Sequence, residues 1–398
     1  MKISNAEILK LTRKVLPSQI KWRRHFHQYP ELSNQEFKTT EFIRQQLKGR
    51  RIKLIPTGMK TGLAAIIKGS GAACIALRSD IDALPVTEIN DISYKSKNNG
   101  IMHACGHDVH MAVVLGTAIL VNEIKGNLGG SVKFIFQPAE ELPPGGADRM
   151  LKAGVFKNPK VDMVVGLHTD PTLPTGKIGL RDGATMAAVV DFDIEVTGRG
   201  GHAAAPHKGV DAIATAAEIV GSMQKVVSRE TNPMEPALIT FGKISGGTAR
   251  NVLADKAYLH GTARTLSART LKQLPRLIRR TAQGICRARG ARCRIEFLAN
   301  YPVLENHPSA NKLLAQCYTD IFGRGKIETT KQIMGGEDFA FYLKKATGAM
   351  FRLGVRNPKI GAVKPWHSPD FMVDEDAIYY GTSLMVKTIL EFLRKERR

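Results

Sequence analysis

Ala73-Cys74-Ile75-Ala76-Leu77-Arg78-Ser79-Asp80-Ile81-Asp82-Ala83-Leu84-Pro85 is an apolar run that breaks off into charge. Residues 73 to 77 read as a short buried strand bounded by glycine on its amino side. Two carboxylates, two residues apart, follow at its carboxyl end. That is where open α/β sheets keep their ligand crevice. The pattern recurs. Leu63 to Ile67 is a second buried strand, and Ser131 to Phe136 a third, followed by Gln137-Pro138-Ala139-Glu140-Glu141. Met163 to Leu167 is a fourth strand and delivers His168. Three strand ends therefore present ligand-type side chains, and the intervening segments have helical periodicity: Ile8 to Phe26, Asn34 to Leu47 and Val109 to Ile124. In the second of these, Phe37, Phe42 and Leu47 are expected core contacts. The alternation predicts an α/β fold with a mixed sheet flanked by helices.

The densest chemistry lies in Met102-His103-Ala104-Cys105-Gly106-His107-Asp108-Val109-His110. Cys105 and His107 are two apart, which in an extended segment points both side chains one way. A thiolate and an imidazole converging in this manner suit zinc. Alone, the stretch fits equally well a helix start with a buried cysteine and solvated histidines.

From about Gly183 the texture changes. Val189 to Val196 alternates with the period of a strand exposed on one face. Gly198-Arg199-Gly200-Gly201-His202 opens a glycine-rich loop that also carries His207. A helix over Asp211 to Val227, strands over Ala237 to Ile244 and Leu253 to Thr262, a basic helix over Ala268 to Arg289 and a strand over Cys293 to Leu298 complete the series. This is the split arrangement of a ferredoxin-like α/β sandwich, expected as an inserted domain over 184–298 between two parts of a larger domain, 1–183 and 299–398. Beyond it, Pro308 to Phe322 and Asp376 to Leu393 read as helices, Ala349 to Gly354 as a strand, and a helix is expected to start at Gly335-Gly336-Glu337-Asp338-Phe339.

At 398 residues, 43% hydrophobic and 24% charged, the composition is that of a soluble protein of about two domains. No membrane span and no signal peptide is visible, so a cytoplasmic location is expected. Five cysteines spread thinly are not a disulfide framework, although Cys286 and Cys293 are close enough in sequence for a bridge to be geometrically possible. The net charge of +22 is dispersed, with short clusters at Lys21–Arg24, Arg276–Arg280 and Arg394–Arg398. It reads as a solvated basic surface. No zinc finger, RNA-recognition signature or aromatic-interleaved basic patch accompanies it, so no nucleic-acid partner is expected; a basic nucleic-acid binder on a hydrolase fold is the remote alternative.

Six motifs stand in order: Arg78 to Pro85, Met102 to Asp108, Phe136 to Glu141, Gly200-Gly201-His202-Ala203 with Pro206-His207, Gly261-Thr262-Ala263-Arg264-Thr265, and Gly336 to Phe339. Together they resemble the dinuclear-metal aminoacylase/carboxypeptidase family. The branch is that of hippurate hydrolases, N-acyl-amino-acid amidohydrolases, thermophilic carboxypeptidases and plant auxin-conjugate hydrolases. The resemblance runs from Arg23 to the C-terminal helix. It implies metal ligands at Cys105, His107, Glu141, His168 and His367. One of two divalent ions would take His107 and His168, the other Glu141 and His367, with Cys105 near both. Zinc suits this set, with manganese, cobalt or nickel as alternatives. Asp80 stands where more distant relatives have a histidine ligand, and Asp82 is expected to orient a ligand. Glu140 is the expected general base for a metal-activated water. His202 is expected to stabilise the oxyanion, and Asn251 and Arg264 to hold the substrate, with Arg264 on its carboxylate. His103, His110 and His207 have weaker claims. Met186, Met334 and Phe351 could line an acyl pocket, although core packing explains each as well. The substrate implied is an N-acyl or N-aminoacyl amino acid, or a short peptide. The inserted domain is implied to be the lid and to form a homodimer or a higher homo-oligomer.

Overall fold

The computed structural model describes residues 3–395. The first two residues of the N-terminal stretch and the last three of the Arg394–Arg398 cluster lie outside them. The chain divides into two compact units, Met1–Gly183 with Glu305–Lys331 and Phe341–Arg398, and Ala184–Leu304 with Gln332–Ala340.

The first unit holds an eight-stranded mixed sheet. Four of its strands, Ser131–Gln137, Cys74–Asp80, Met163–Pro174 and Thr347–Arg356, lie side by side and run parallel. Leu63–Ile67 pairs antiparallel with Ser131–Gln137. Parallel strands covered on both faces read as unbroken apolar runs, and every residue of Leu63–Ile67, Cys74–Asp80 and Ser131–Gln137 is buried. Lys133 is the exception in kind: its ammonium is buried and donates to the carbonyls of Val155, Lys157 and Pro159 at 2.9, 2.6 and 2.7 Å. Helices Asn5–Gln28, His107–Glu123 and Ala377–Lys395 pack on one another. The middle one is apolar all round and buried from His107 to Val121, as expected of a core helix.

Several expectations shift in detail. The strand that delivers His168 does not stop before it but continues to Pro174. Phe37, expected in the core, is 53% exposed at the start of Phe37–Lys48, while Leu47 is fully buried. The helix after Gly336 is only the single turn Ala340–Leu343.

The second unit is a four-stranded antiparallel sheet ordered Ala237–Gly246, Lys256–Thr265, Ala188–Thr197, Arg292–Tyr301. Numbered along the chain the order is 2-3-1-4, the ferredoxin-like topology. Alternate residues Val190, Phe192, Ile194 and Val196 turn inward onto Ile219 and Met223 of helix Ala212–Lys225 and Leu274 and Ile278 of helix Ala268–Ala288. The last strand runs through residue 299, so the unit extends to Leu304 rather than 298, and it takes back 332–340 from the later chain. Cys286 and Cys293 are both free thiols. Among the described residues no helix is long and apolar enough to cross a membrane.

Candidate metal centre

Three turns at the carboxyl ends of the parallel strands carry the reactive residues, and each contains a left-handed backbone conformation. Gly106 has φ +83°, between Cys105 and His107. This corrects the reading of an extended segment: the two side chains converge because the chain turns sharply and helix His107–Glu123 begins at His107 itself. The turn also needs glycine for space, since a Cβ there would come within 2.6 Å of Thr169 Oγ1. Ala139 (φ +52°) precedes the two glutamates, and His367 itself has φ +63°. A non-glycine residue in this region costs on the order of 1 kcal/mol or more, and such strain gathers at functional sites.

Hydrogen bonds pin each turn. Thr169 Oγ1 donates to the Cys105 carbonyl at 2.9 Å. The Ala139 N–H donates to Glu36 Oε1 at 2.8 Å and the Glu141 N–H to Asp82 Oδ2 at 2.9 Å. The His367 N–H donates to the Ala104 carbonyl at 2.9 Å, which locks the last ligand-bearing segment to the first.

The side chains then close on one another. His107 Nδ1 donates to the Asp82 carbonyl at 2.9 Å, which leaves Nε2 bare and aimed between Asp80 Oδ2 and Glu141 Oε1, each 3.7 Å away. His168 Nδ1 donates to the Thr169 carbonyl at 2.8 Å, and its Nε2 lies 3.5 Å from Cys105 Sγ. His367 Nε2 is 3.6 Å from Glu141 Oε1. Ligand atoms of Cys105, His107 and His168 lie within 4.8 Å of one another, as do those of Cys105, Glu141 and His367. Cys105 is common to both groups. A third group of the same span joins Glu140 and Glu141 to His107.

These residues fit a pair of cations. His107 Nε2 and Glu141 Oε1 are buried with no hydrogen-bond partner, and an orphaned buried polar atom costs about 1–3 kcal/mol unless something satisfies it. Thiolate, imidazole and carboxylate together are the donor set of zinc. The electrostatics agree. Burial disfavours the charged form of His107, but Asp80, Asp82 and Glu141 outweigh it and raise its pKa to about 10. Burial and the neighbouring glutamates push the Cys105 thiol well up. Burial, Arg352 and His110 hold His168 down, and so neutral. A site crowded with acids around a protonated imidazole is one in which metal and proton compete.

The weaker candidates separate cleanly. His110 donates from Nδ1 to Asp80 Oδ1 at 2.6 Å and accepts the Thr169 N–H on Nε2 at 2.9 Å, so neither nitrogen is available to a metal. Asp80 accepts from His110 on one oxygen and from Arg78 on the other, each at 2.6 Å. Asp82 accepts on Oδ2 from Ser33 at 2.7 Å and from the Glu141 N–H at 2.9 Å. His103 is buried with both ring nitrogens unpartnered. Phe351 is fully buried in the core.

His202 and Asn251 belong to the second unit, where they are brought together. Gly201–His202 pairs with Val252–Leu253, and the Ala203 N–H donates to the Asn251 carbonyl at 3.1 Å. His202 is exposed, and its Nδ1 accepts the Ala204 N–H at 3.1 Å. With Nδ1 accepting, the donor of this ring is Nε2. Arg264 is half-buried beside Gly336, its Nε donating to Thr262 at 3.2 Å. His207 sits exposed in the short turn Pro206–Lys208.

Sequence reasoning missed Glu36, Thr169 and a buried array of Arg23, His27, Glu88 and Asp108. Asp108 directly after a ligand histidine was the available signal for the array.

The family model of peptidase family M20/M25/M40 matches residues 76–391. The N-acetyl-L-cysteine deacetylase of Bacillus subtilis is 40% identical over 359 residues, 89% of this chain and 83% of that protein. Thermostable carboxypeptidase 1 of Saccharolobus solfataricus is 37% identical over 380 residues, 94% and 95% of the two chains. Among solved structures, a dinuclear metal-binding M20 peptidase from Bacillus subtilis matches with a TM-score of 0.83 at 34% identity, covering 96% of this chain and 99% of that one. A match across most of the chain, at this identity, makes the protein a hydrolase of amide bonds and a member of peptidase family M20/M25/M40.

Proposed function

We propose that the protein is a metal-dependent amidohydrolase that cleaves the amide bond of N-acyl- or N-aminoacyl-amino acids. The observation that carries this reading is the sharing of Cys105 by two ligand groups, Cys105–His107–His168 and Cys105–Glu141–His367, beside Glu140. Two divalent ions there, zinc by the chemistry of the donors, would polarise the amide carbonyl and lower the pKa of a water to about 7. Glu140 accepts that water's proton as it attacks and passes it to the leaving nitrogen. Asp82 holds His107 through its backbone carbonyl and Glu141 through its carboxylate, and so keeps both ligands aimed. His202 donates from Nε2 to the developing oxyanion, its Nδ1 being taken up by the Ala204 N–H. Arg264 clasps the α-carboxylate and Asn251 contributes a further contact. A homodimer through the second unit is part of the proposal and rests on the resemblance.

A carboxypeptidase acting on short peptides by the same chemistry is the second reading, favoured by the match to thermostable carboxypeptidase 1. The test is dialysis against a strong chelator followed by re-addition of zinc, manganese, cobalt or nickel, with a panel of N-acyl amino acids and dipeptides as substrates. Hydrolysis should vanish and return; turnover that survives stringent chelation overturns the mechanism. The preferred substrate in the panel decides between the two readings.

A further inference from the structure

Behind the centre, in the first unit, lies a chain of buried charges that touches no ligand side chain. Arg23 Nε is 2.7 Å from Asp108 Oδ2, and His27 Nδ1 donates to the same oxygen at 2.8 Å. His27 Nε2 donates to Glu88 Oε1 at 3.1 Å. All four side chains are at most 3% exposed. Glu88 also accepts from Asn90 Nδ2 at 3.0 Å and from the Ser96 N–H at 2.7 Å. At the far side Arg23 and Arg24 pair with Glu375, and the ring of Tyr94 covers both guanidiniums at 4.9 and 4.8 Å. Arg23, Arg24 and His27 thus balance Glu88, Asp108 and Glu375.

The two ends of this array reach different ligand-bearing segments. Asp108 follows His107 in the first turn of its helix. Asn90, held by Glu88, donates to the Phe371 carbonyl at 3.1 Å, and the Ile89 N–H donates to the Pro369 carbonyl at 3.0 Å. Those carbonyls lie two and four residues beyond His367. Residues 86–101 form an excursion without helix or strand, so Glu88 is what gives them a fixed shape at this point.

Stability alone is a poor account of such an array. Buried ion pairs often contribute less than apolar residues of the same volume. What they supply is direction and spacing. We infer that Arg23, His27, Glu88 and Asp108 form a positioning frame for the dinuclear centre, setting His367 at the distance from Cys105 and His107 that a second ion requires. This rests on the dinuclear reading above. In it, the frame is asymmetric. Cys105, His107 and His168 are held by their own turn and strand, whereas His367, beyond its own N–H on the Ala104 carbonyl, stands on a segment fastened through Ile89 and Asn90 beside Glu88.

The test uses the full chain, stripped of metal and titrated with Co²⁺ in a metal buffer, with the visible absorbance and the bound ions per chain as readouts. In Glu88→Gln the first ion should bind as in the parent, and the second about 10–100-fold more weakly. Saturating cobalt should restore most of kcat. Asn90→Ser, which cuts the link to Phe371 and leaves the charges intact, should do the same to a smaller extent and serves if Glu88→Gln does not fold. Unchanged affinity for the second ion in both variants overturns the inference, as does equal weakening of both ions with a lowered melting temperature of the metal-free protein. A parent that binds one ion only overturns the dinuclear reading itself.

Discussion

The two groups of residues assigned to catalysis are built in opposite ways. In the first unit, Cys105, His107, Glu140 and His168 are buried, Glu141 is half-buried and only His367 is exposed; the turns at Gly106, Ala139 and His367 are left-handed, and hydrogen bonds to the backbone fasten them. In the second, His202 is exposed on a two-residue ladder, Asn251 is exposed in the turn just before its other strand, and Arg264 is half-buried. The first group is preorganised for a small, hard-to-dehydrate ion, where a misplacement of an ångström is costly. The second has little packing to hold it, which suits groups that settle only on a substrate.

The difference can be broken most forcefully at Glu140. Glu140→Gln should lower kcat by about 10²–10⁴ while the bound metal per chain stays the same. A loss of metal in that variant would make Glu140 a ligand rather than the base. His202→Ala should cost about 10²–10³ in kcat, with metal content and melting temperature unmoved. Metal lost on removal of His202 would contradict its separation from the buried set.

The buried group should also respond to pH in a way the exposed one does not. Without metal, His107 keeps a proton up to about pH 10, because Asp80, Asp82 and Glu141 together outweigh the cost of burying its charge. The Cys105 thiol is likewise held protonated by burial and the nearby glutamates. Metal binding must expel both protons, so affinity rises with pH by about a hundredfold per unit near neutrality and levels off only above about pH 10. Competition against a metal indicator from pH 6 to 8 reads the slope; a flat profile would mean that neither group gives up a proton. Arg264→Lys, in contrast, should raise KM by about 10–100-fold through loss of a bidentate hydrogen bond to the substrate carboxylate, without altering metal affinity.

How much of this was legible in the chain differs between the two groups for a physical reason. Ligand chemistry declares itself locally. Asp80 and Asp82, and Glu140 and Glu141, stand at or just after the ends of apolar strands, and His168 follows the apolar run Met163–Leu167 inside its strand, so the sheet brings them together. The ferredoxin-like order followed in the same way from alternation and element sequence. Backbone handedness at Gly106 did not, because the spacing Cys-x-His fits an extended strand and a tight turn equally well. The array behind the centre was hard to read for another reason: Asp108 is flagged by its place after His107, but His27 is 81 positions away and nothing local marks it as the partner. Phe37 failed in the opposite direction, an apolar residue at a helix start that the fold leaves in solvent.

The smallest effect concerns the two histidines that flank the ligands without joining them. His103 and His110 are equally buried, yet only His110 has partners for both ring nitrogens. Removing an imidazole that is bonded at both ends takes from Asp80 one of its two close partners, leaving Arg78, and strands the Thr169 N–H, each lost buried hydrogen bond costing about 1–3 kcal/mol. Removing one that is bonded at neither end strands nothing, and exchanging an unsatisfied polar group for an apolar one of similar volume is close to neutral or stabilising. The pKa of His103, pushed down to about 3 chiefly by burial, means that no charge is lost at neutral pH. Urea unfolding of the metal-free protein should therefore place His103→Leu within about 1 kcal/mol of the parent, and His110→Leu several kcal/mol below it. Equal destabilisation by the two would mean that His103 has a partner, and the ion that satisfies His107 and Glu141 would then have to be sought closer to His103 as well.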